Sequence, residues 1–253
     1  MVYNSLTDIP RNLKEGIDWL IALKGDDAKE NLAAMGDAIH KFLADKPVGK
    51  MELPALEKVK SISKEFLEKP ELKCRWPIKN MLEKLYKPMN KNISGCAKFF
   101  RNVDESDYKN VLKARGVKPE DISKDLRKVV HGTETFLDDI KNPDQYKSAY
   151  SSEATWEASC AKDPEACAVV LVGIAPMLFG GLRALREASH DESHIFSRSK
   201  NKGVVGSVLE ALGYNVAERR PNMSGSYVFK AVENVKLKML ITLYDLAGLW
   251  AFY

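Results

Sequence analysis

The longest apolar run of the chain, Cys160–Ser189, limits what the chain can fold into. Asp163 and Pro164 mark a helix start, because aspartate caps a helix and proline at the first helical position loses no hydrogen bond. The central part of the run, Ala166–Leu182, holds 17 residues without a charge. A helix that is apolar on every face is either the centre of a core or a membrane span, and a span needs about 20 apolar residues. We predict a core helix kinked near Pro176, with a membrane span as the alternative.

The rest of the chain divides into segments of helical periodicity. Apolar residues recur three and four positions apart, and proline, glycine and capping residues separate the segments. No segment alternates between apolar and polar residues for long enough to predict a sheet. We therefore predict an all-α fold, a multi-helix bundle of roughly eight to ten helices packed around the central apolar helix. Residues 1–253 are expected to form one domain, and a subdivision into a basic helical part, 1–100, and a core part, 101–253, is the variant of this prediction.

Two boundary predictions concern the second half of the chain. The polar sequence that follows Ser189 predicts a loop over His190–Lys202. A second polar loop is predicted over Ala217–Ser226, and Ser226 is expected to cap one long final helix. The Gly180–Gly181 pair lies inside the central run, where close packing of a neighbouring helix explains small residues better than phosphate binding does.

Composition and charge exclude several classes of protein. With 45% apolar and 29% charged residues, the chain has the composition of a globular protein rather than a disordered one. The formal net charge of +4 is small, although Lys58–Arg115 holds many lysines and arginines. That segment is either a solvated face or a surface for sialylated or sulfated glycans. Its aromatic residues do not follow a stacking pattern, so nucleic-acid binding is not expected.

The four cysteines allow three pairings. Cys160 and Cys167 lie either side of the Asp163–Pro164 turn, where a disulfide and two buried thiols are equally reasonable interpretations. Cys74 and Cys96 flank a short predicted helix and form the second candidate pair. No Cys-x-x-Cys sequence occurs, and no spacing of cysteine and histidine suits zinc.

The sequence has no convincing catalytic or metal-binding motif. His190 and His194 would share one face of a helix, but Asp191 stands where the zinc motif requires glutamate, and the predicted structure there is a loop. Neither a nucleophile elbow, a P-loop nor a dinucleotide fingerprint is present. An enzyme is therefore not expected, and neither is a cofactor or a metal.

Three phrases carry a resemblance to a known family. They are NSLTDIPRNLKEGIDWLIALKG at residues 4–25, the sequence of residues 140–189, and the C-terminal LITLYDLAGLWAFY. In these phrases the chain resembles the variant erythrocyte surface antigens and related multigene proteins of Babesia parasites. The phrase NLKEGIDWLIALKG is the more specific because of its tryptophan and its turn spacing. The likeness extends over most of the chain and is weakest in the basic segment and the two polar loops.

The resemblance implies a protein exported to the surface of the infected erythrocyte, where it acts in cytoadhesion or immune evasion. Members of the family commonly lack a recognisable secretion signal, and none is visible at this N-terminus. An oxidising medium outside the cell strengthens the expectation of a Cys160–Cys167 disulfide. The family has no shared catalytic residues to transfer, and no membrane span is expected within this sequence.

The main functional hypothesis is a surface antigen that binds a host cell-surface receptor, with an inhibitory leukocyte receptor as one candidate. Loops on a rigid scaffold commonly carry binding, so we predict the site in Lys87–Gly95, His190–Lys202 and Ala217–Ser226. The receptor-binding candidates in these loops are Lys91, Asn92, His190, His194, Phe196, Arg198, Arg219, Arg220 and Met223. The alternatives are an intracellular helical scaffold of the parasite and a glycan-binding adhesin that uses the basic segment.

Overall fold

The fold is all-α, as the sequence predicts. The structure is a computed structural model that describes residues 2–46, 52–87, 109–193 and 203–253. Within these ranges there is no β-strand, and extended backbone pairs only at two isolated bridges, Tyr3 with Tyr150 and Lys141 with Arg219. Nine helices in the described ranges have eight residues or more, which agrees with the predicted size of the bundle.

The helices follow one another with short connections. In chain order they are α1 Leu13–Lys24, α2 Ala28–Ala44, α3 Pro54–Leu67, α4 Pro70–Lys73, α5 Trp76–Tyr86, α6 Val111–Arg115, α7 Pro119–Ile140, α8 Trp156–Ser159, α9 Pro164–Ser193, α10 Val204–Ala211, α11 Gly225–Val232, α12 Leu237–Ala247 and α13 Leu249–Phe252. A single 3₁₀ turn, Val216–Glu218, separates α10 from α11.

The apolar run forms α9, the central helix of the bundle. It packs against α1, α2, α3, α5, α10, α11 and α12, and α7 packs against α1, α2, α11 and α12. Length and composition alone would let α9 cross a membrane, but 89% of its most apolar window is buried inside the protein. The prediction of a buried central helix is therefore confirmed. The helix is continuous through Pro176, and the Tyr253 hydroxyl donates a hydrogen bond to the Gly173 carbonyl one turn earlier.

Glycines of α9 allow α3 to approach closely, as the Gly180–Gly181 pair led us to expect. A Cβ atom at Gly173 would lie 2.3 Å from Cγ1 of Val59, far inside van der Waals contact. A Cβ at Gly180 would lie 2.8 Å from Cδ2 of Leu67. Both neighbours belong to α3, so this helix crosses α9 where the central helix has no side chains.

A buried hydrogen bond attaches the N-terminal segment to α1. Asn12 caps α1 by accepting the Glu15 N–H at 3.0 Å, as its spacing predicts. Trp19 is fully buried, and its Nε1 donates to the Leu6 carbonyl at 2.7 Å. Because Leu6 is also fully buried, the indole is both a large apolar surface and the donor that satisfies a buried carbonyl.

The same helix holds a buried ionic cluster. Asp18 is only 3% exposed; it accepts hydrogen bonds from the Tyr146 hydroxyl at 2.6 Å and from the Ala149 N–H at 2.8 Å. Lys14, also buried, lies 3.6 Å from Asp18 and 3.3 Å from Glu218. Burial is the largest influence on Asp18 and raises its pKa, even though the hydrogen bonds and Lys14 act in the other direction.

A disulfide joins Cys160, after α8, to Cys167 in the first turns of α9. Both cysteines are fully buried, so the bridge closes the turn at Asp163 inside the core. Cys74, which is predicted to pair with Cys96, is an exposed free thiol at the end of α4. Cys96 itself lies outside the described residues.

Removing this disulfide is expected to lower the free energy of unfolding by about 2 kcal/mol, because the bridge restricts the unfolded chain. The double variant Cys160→Ala/Cys167→Ala and the wild type should be compared by urea unfolding followed by circular dichroism. Cys74→Ala is the matched control, and its exposed position predicts an unchanged midpoint. Equal midpoints for the double variant and the wild type would contradict a stabilising role for the bridge.

The predicted end of the central helix is wrong. The central helix does not end at Ser189 but continues to Ser193, because the Glu192 carboxylate accepts the Val205 N–H at 2.9 Å and this region packs against Gly225. The predicted loop is thus helical over residues 190–193, and residues 194–202 lie outside the described part of the chain.

The predicted long final helix is three shorter ones. Ser224 rather than Ser226 caps α11, by accepting the Tyr227 N–H at 3.2 Å. The chain then leaves the helix before α12 because Asn234 is held by another element: its amide donates to Asp139 of α7 at 2.8 Å. Gly248, in the left-handed conformation, separates α12 from α13.

Candidate functional site

A shallow cleft lies at one end of α9, between the start of α5 and the side of α11. Its volume is about 340 Å³, at the small end of the usual range for ligand sites. The side chains that line it are Trp76, Pro77, Arg183, Arg186, Glu187, His190 and Phe229. We call this surface the Trp76 cleft, because Trp76 is the lining residue with the largest exposed apolar ring.

The backbone of Trp76 is held by charged residues of α9 and of the preceding loop. The Trp76 N–H, at the first turn of α5, donates to Oε2 of Glu187 at 3.2 Å. Arg75 lies 3.7 Å from Oε1 of the same carboxylate and 3.4 Å from Asp191. A carboxylate at a helix N-terminus is also stabilised by the positive end of the helix dipole. The start of α5 is therefore fixed while the Trp76 side chain remains 56% exposed.

Two arginines of α9 lie against aromatic rings of the cleft. The Arg183 guanidinium is 5.5 Å from the Trp76 ring, and the Arg186 guanidinium is 5.3 Å from the Phe229 ring. His190 continues this row one turn later, with its ring 5.5 Å from Phe229. Both guanidinium distances are within the range of cation–π attraction. The cleft thus alternates cationic and aromatic groups on three helices.

Partial burial makes Arg183 electrostatically unusual. Desolvation is the largest influence that lowers its pKa, the charge of Arg186 acts in the same direction, and Glu187 partly opposes them. Arginine nevertheless keeps its proton in proteins at any ordinary pH. Arg183 is therefore a half-buried positive charge in an unfavourable environment.

The structure places the predicted receptor-binding residues in three different situations. His190 lies in the Trp76 cleft, on a helix rather than on the predicted loop. Five further candidates lie outside the described residues: Lys91, Asn92, His194, Phe196 and Arg198.

The remaining three candidates are in the connection before α11, and two of them bind their own chain. The Arg219 guanidinium donates to the Gly206 carbonyl at 3.0 Å and to Glu210 at 2.9 Å. Arg220 donates to the Asp138 carbonyl at 3.1 Å. Met223 is half-buried against the core. The structure therefore does not bring these three residues to the Trp76 cleft.

Sequence reasoning missed most of the cleft. Trp76, Arg183 and Phe229 are absent from the predicted binding residues, because each looks ordinary among its sequence neighbours. The sequence Arg75-Trp76-Pro77 is the signal that could have indicated the site. Proline is favoured at a helix start, so it places the preceding tryptophan at the beginning of α5.

The described residues contain no group of three or more histidine, cysteine, aspartate or glutamate side chains that could hold a metal ion. No protein-family model, curated protein or solved structure matches this chain. The geometry of the Trp76 cleft is therefore the basis for a functional proposal, together with the resemblance carried by the sequence phrases.

Proposed function

We propose that the protein is a helical surface antigen that binds a host cell-surface receptor through the Trp76 cleft. One observation carries the proposal: a tryptophan that is 56% exposed lies on a fixed helix start, beside two arginines. Tryptophan and arginine are the residues most enriched in the energetic centres of protein interfaces.

The way in which Trp76 is held supports a recognition role. A side chain that is already oriented loses less conformational freedom when a partner binds it. Glu187 and Arg75 fix the backbone from which Trp76 projects, and the guanidinium of Arg183 lies against the indole. The helix start that carries the ring is thus held in place before any partner arrives.

The resemblance to variant erythrocyte surface antigens of Babesia supports the biological setting. On this proposal the protein is displayed on the infected erythrocyte, and the receptor belongs to a host cell, with an inhibitory leukocyte receptor as the first candidate to test. The exterior of the cell is oxidising, and the Cys160–Cys167 disulfide is compatible with that environment.

A receptor screen tests this function. Labelled tetramers of the 253-residue protein are incubated with cells that each display one host surface receptor. A saturable signal with one receptor is expected, and Trp76→Ala should weaken it at least about tenfold, because truncating an interface tryptophan commonly costs 2 kcal/mol or more. Tyr86→Ala is the control, since it removes an exposed aromatic ring from the other end of α5.

The outcomes separate the proposal from its rivals. If the folded protein stains no receptor-displaying cell, the receptor proposal fails and an internal scaffold gains support. Binding that disappears with salt and after enzymatic removal of cell-surface glycans would favour a glycan adhesin, since exposed charge contacts are strongly screened. A receptor signal that survives Trp76→Ala and is lost with Tyr86→Ala would place the interface elsewhere.

A further inference from the structure

Some charged side chains around the Trp76 cleft form ion pairs and one does not. The carboxylate of Glu187 is engaged by Arg75 and by the Trp76 N–H, and Asp191 also lies against Arg75. Arg186 lies 3.9 Å from Glu233. In the described part of the chain these contacts engage the carboxylates beside the cleft, and they pair Arg186 but not Arg183, the other arginine that lines it.

Arg183 is the guanidinium left over. Within the described ranges it makes no hydrogen bond and no ion pair within 4.0 Å, and its guanidinium lies over the ring of Trp76. A half-buried cation that forms no ion pair is in an unfavourable position: desolvation lowers the pKa of Arg183, and the charge of Glu187 one turn later only partly opposes this. An anion that enters the cleft would supply the missing partner and would be shielded from water by the indole.

The cleft also restricts which anion fits. A guanidinium can bind a carboxylate through two parallel hydrogen bonds. Of the two arginines that line the cleft in the described part of the chain, Arg183 is the one without an ion pair, and Glu187 would repel a group with two negative charges more strongly than a group with one. The aromatic rings of Trp76 and Phe229 and the buried Pro77 offer apolar contact beside that charge. A single carboxylate attached to an apolar or aliphatic stem matches these features.

We propose that Arg183 is the anchor for an aspartate or glutamate side chain of the partner protein, which inserts into the cleft beneath Trp76. This inference rests on the proposed receptor-binding function and adds the chemistry of the contact. The partner's carboxylate accepts hydrogen bonds from the Arg183 guanidinium, while the stem of the inserted side chain packs on the Trp76 and Phe229 rings. The expected interface on the receptor is accordingly an acidic residue next to apolar ones.

The anchor can be tested without the receptor. Saturation-transfer NMR is recorded on the folded 253-residue protein with three small probes at millimolar concentrations. Phenylacetate carries a carboxylate next to an apolar group, phenylacetamide is its neutral analogue, and N-acetylneuraminic acid presents the carboxylate of a sialylated glycan. Saturation transfer to phenylacetate is expected, with much weaker transfer to phenylacetamide.

Matched variants assign the binding to Arg183. Arg183→Gln is expected to weaken phenylacetate binding about tenfold or more, since a charged hydrogen bond is lost, whereas Arg183→Lys should keep part of it. Arg127→Gln is the control, because Arg127 is an exposed arginine of α7 and its loss changes the net charge equally. Thermal unfolding of each variant shows whether the fold is intact.

Each outcome decides the proposal. Equal transfer to acid and amide, transfer unaffected by Arg183→Gln, or no transfer to phenylacetate from the folded protein would overturn the anchor. Saturation transfer to N-acetylneuraminic acid but not to phenylacetate would indicate that the cleft binds the carboxylate of a glycan. It would overturn the proposal that the ligand is a protein side chain. If phenylacetate binds at Arg183 but no receptor is found, the anchor stands and the receptor function fails. Receptor binding that is lost with Trp76→Ala but kept with Arg183→Gln would overturn the role of Arg183 and leave the receptor function in place.

Discussion

Trp19→Ala is expected to lower the free energy of unfolding by about 3–5 kcal/mol, which is among the largest effects for a single residue. The reason is the complete burial of the indole together with its hydrogen bond from Nε1 to the Leu6 carbonyl at 2.7 Å. Alanine would leave a cavity between α1 and the N-terminal segment and a buried carbonyl without its donor. Urea unfolding at constant temperature, followed by circular dichroism, measures the loss.

Two further variants separate the causes of that loss. Trp19→Phe keeps much of the apolar volume but removes the donor to Leu6, so it should cost about 1–3 kcal/mol. Trp76→Ala removes the same side chain from an exposed position, and its effect on stability should stay within about 1 kcal/mol. If Trp76→Ala destabilised the protein as much as Trp19→Ala does, burial would not be the explanation.

The structural role of Trp19 also bears on the family resemblance. The phrase that carries most of that resemblance contains both Asn12, which caps α1, and Trp19, which anchors the segment before it. These are stability features rather than binding features. The phrase therefore describes the scaffold and gives no support to a binding surface on α1.

Elements with strong local signals were predictable. The apolar run predicts α9, because 17 uncharged residues are longer than a usual strand and follow an aspartate–proline helix start. The Asp163 side chain accepts the Ala166 N–H at 3.1 Å, as a capping residue should. Gly116 ends α6 in the left-handed conformation, which also follows from its residue type.

Boundaries set by contacts distant in sequence were not predictable. The polar residues after Ser189 resemble a loop when they are considered alone, but Glu192 caps α10 and thereby extends α9. The separation of α11 from α12 depends on Asn234 and its hydrogen bond to Asp139, which lies 95 residues earlier. Propensity is a weak guide where such tertiary contacts decide the conformation.

The candidate site shows the same limit more strongly. Trp76 and Phe229 are far apart in the sequence, and α9 brings them to one cleft by placing Arg183 and Arg186 on successive turns of a single face. The sequence patterns of α5 and α11 do not predict that arrangement. Of the predicted binding residues that the structure describes, His190 lies in the cleft, and the polar sequence around it does not indicate these neighbours.

Asp18→Ala is expected to destabilise the protein by about 3–5 kcal/mol, because it leaves buried groups without their partner. The Tyr146 hydroxyl and the Ala149 N–H lose their acceptor, and Lys14 loses one of its two carboxylate partners. Asp18→Asn should cost less, since its single side-chain oxygen still accepts one of the two hydrogen bonds. Urea unfolding of both variants at neutral pH measures this order.

The difference in stability between the wild type and Asp18→Asn should also depend on pH, with a definite sign. Burial raises the pKa of Asp18 above the ordinary 3.8, so in the window between that value and the raised pKa the folded protein holds a proton that the unfolded chain has released. Wild-type stability therefore falls as pH rises through this window, whereas the asparagine variant has no such proton. The advantage of the wild type over Asp18→Asn should be largest at the acidic end and smaller at neutral pH.

The test is a series of urea unfolding curves for the wild type and Asp18→Asn from mildly acidic to neutral pH. Taking the difference between the two proteins removes the titration of every other group that the substitution leaves unaffected. Asp144→Asn is the matched control, because this carboxylate is exposed and lies two residues before Tyr146. A difference that grows with rising pH would mean that Lys14 and the two hydrogen bonds outweigh burial, and that the buried cluster stabilises the ionised rather than the protonated form of Asp18.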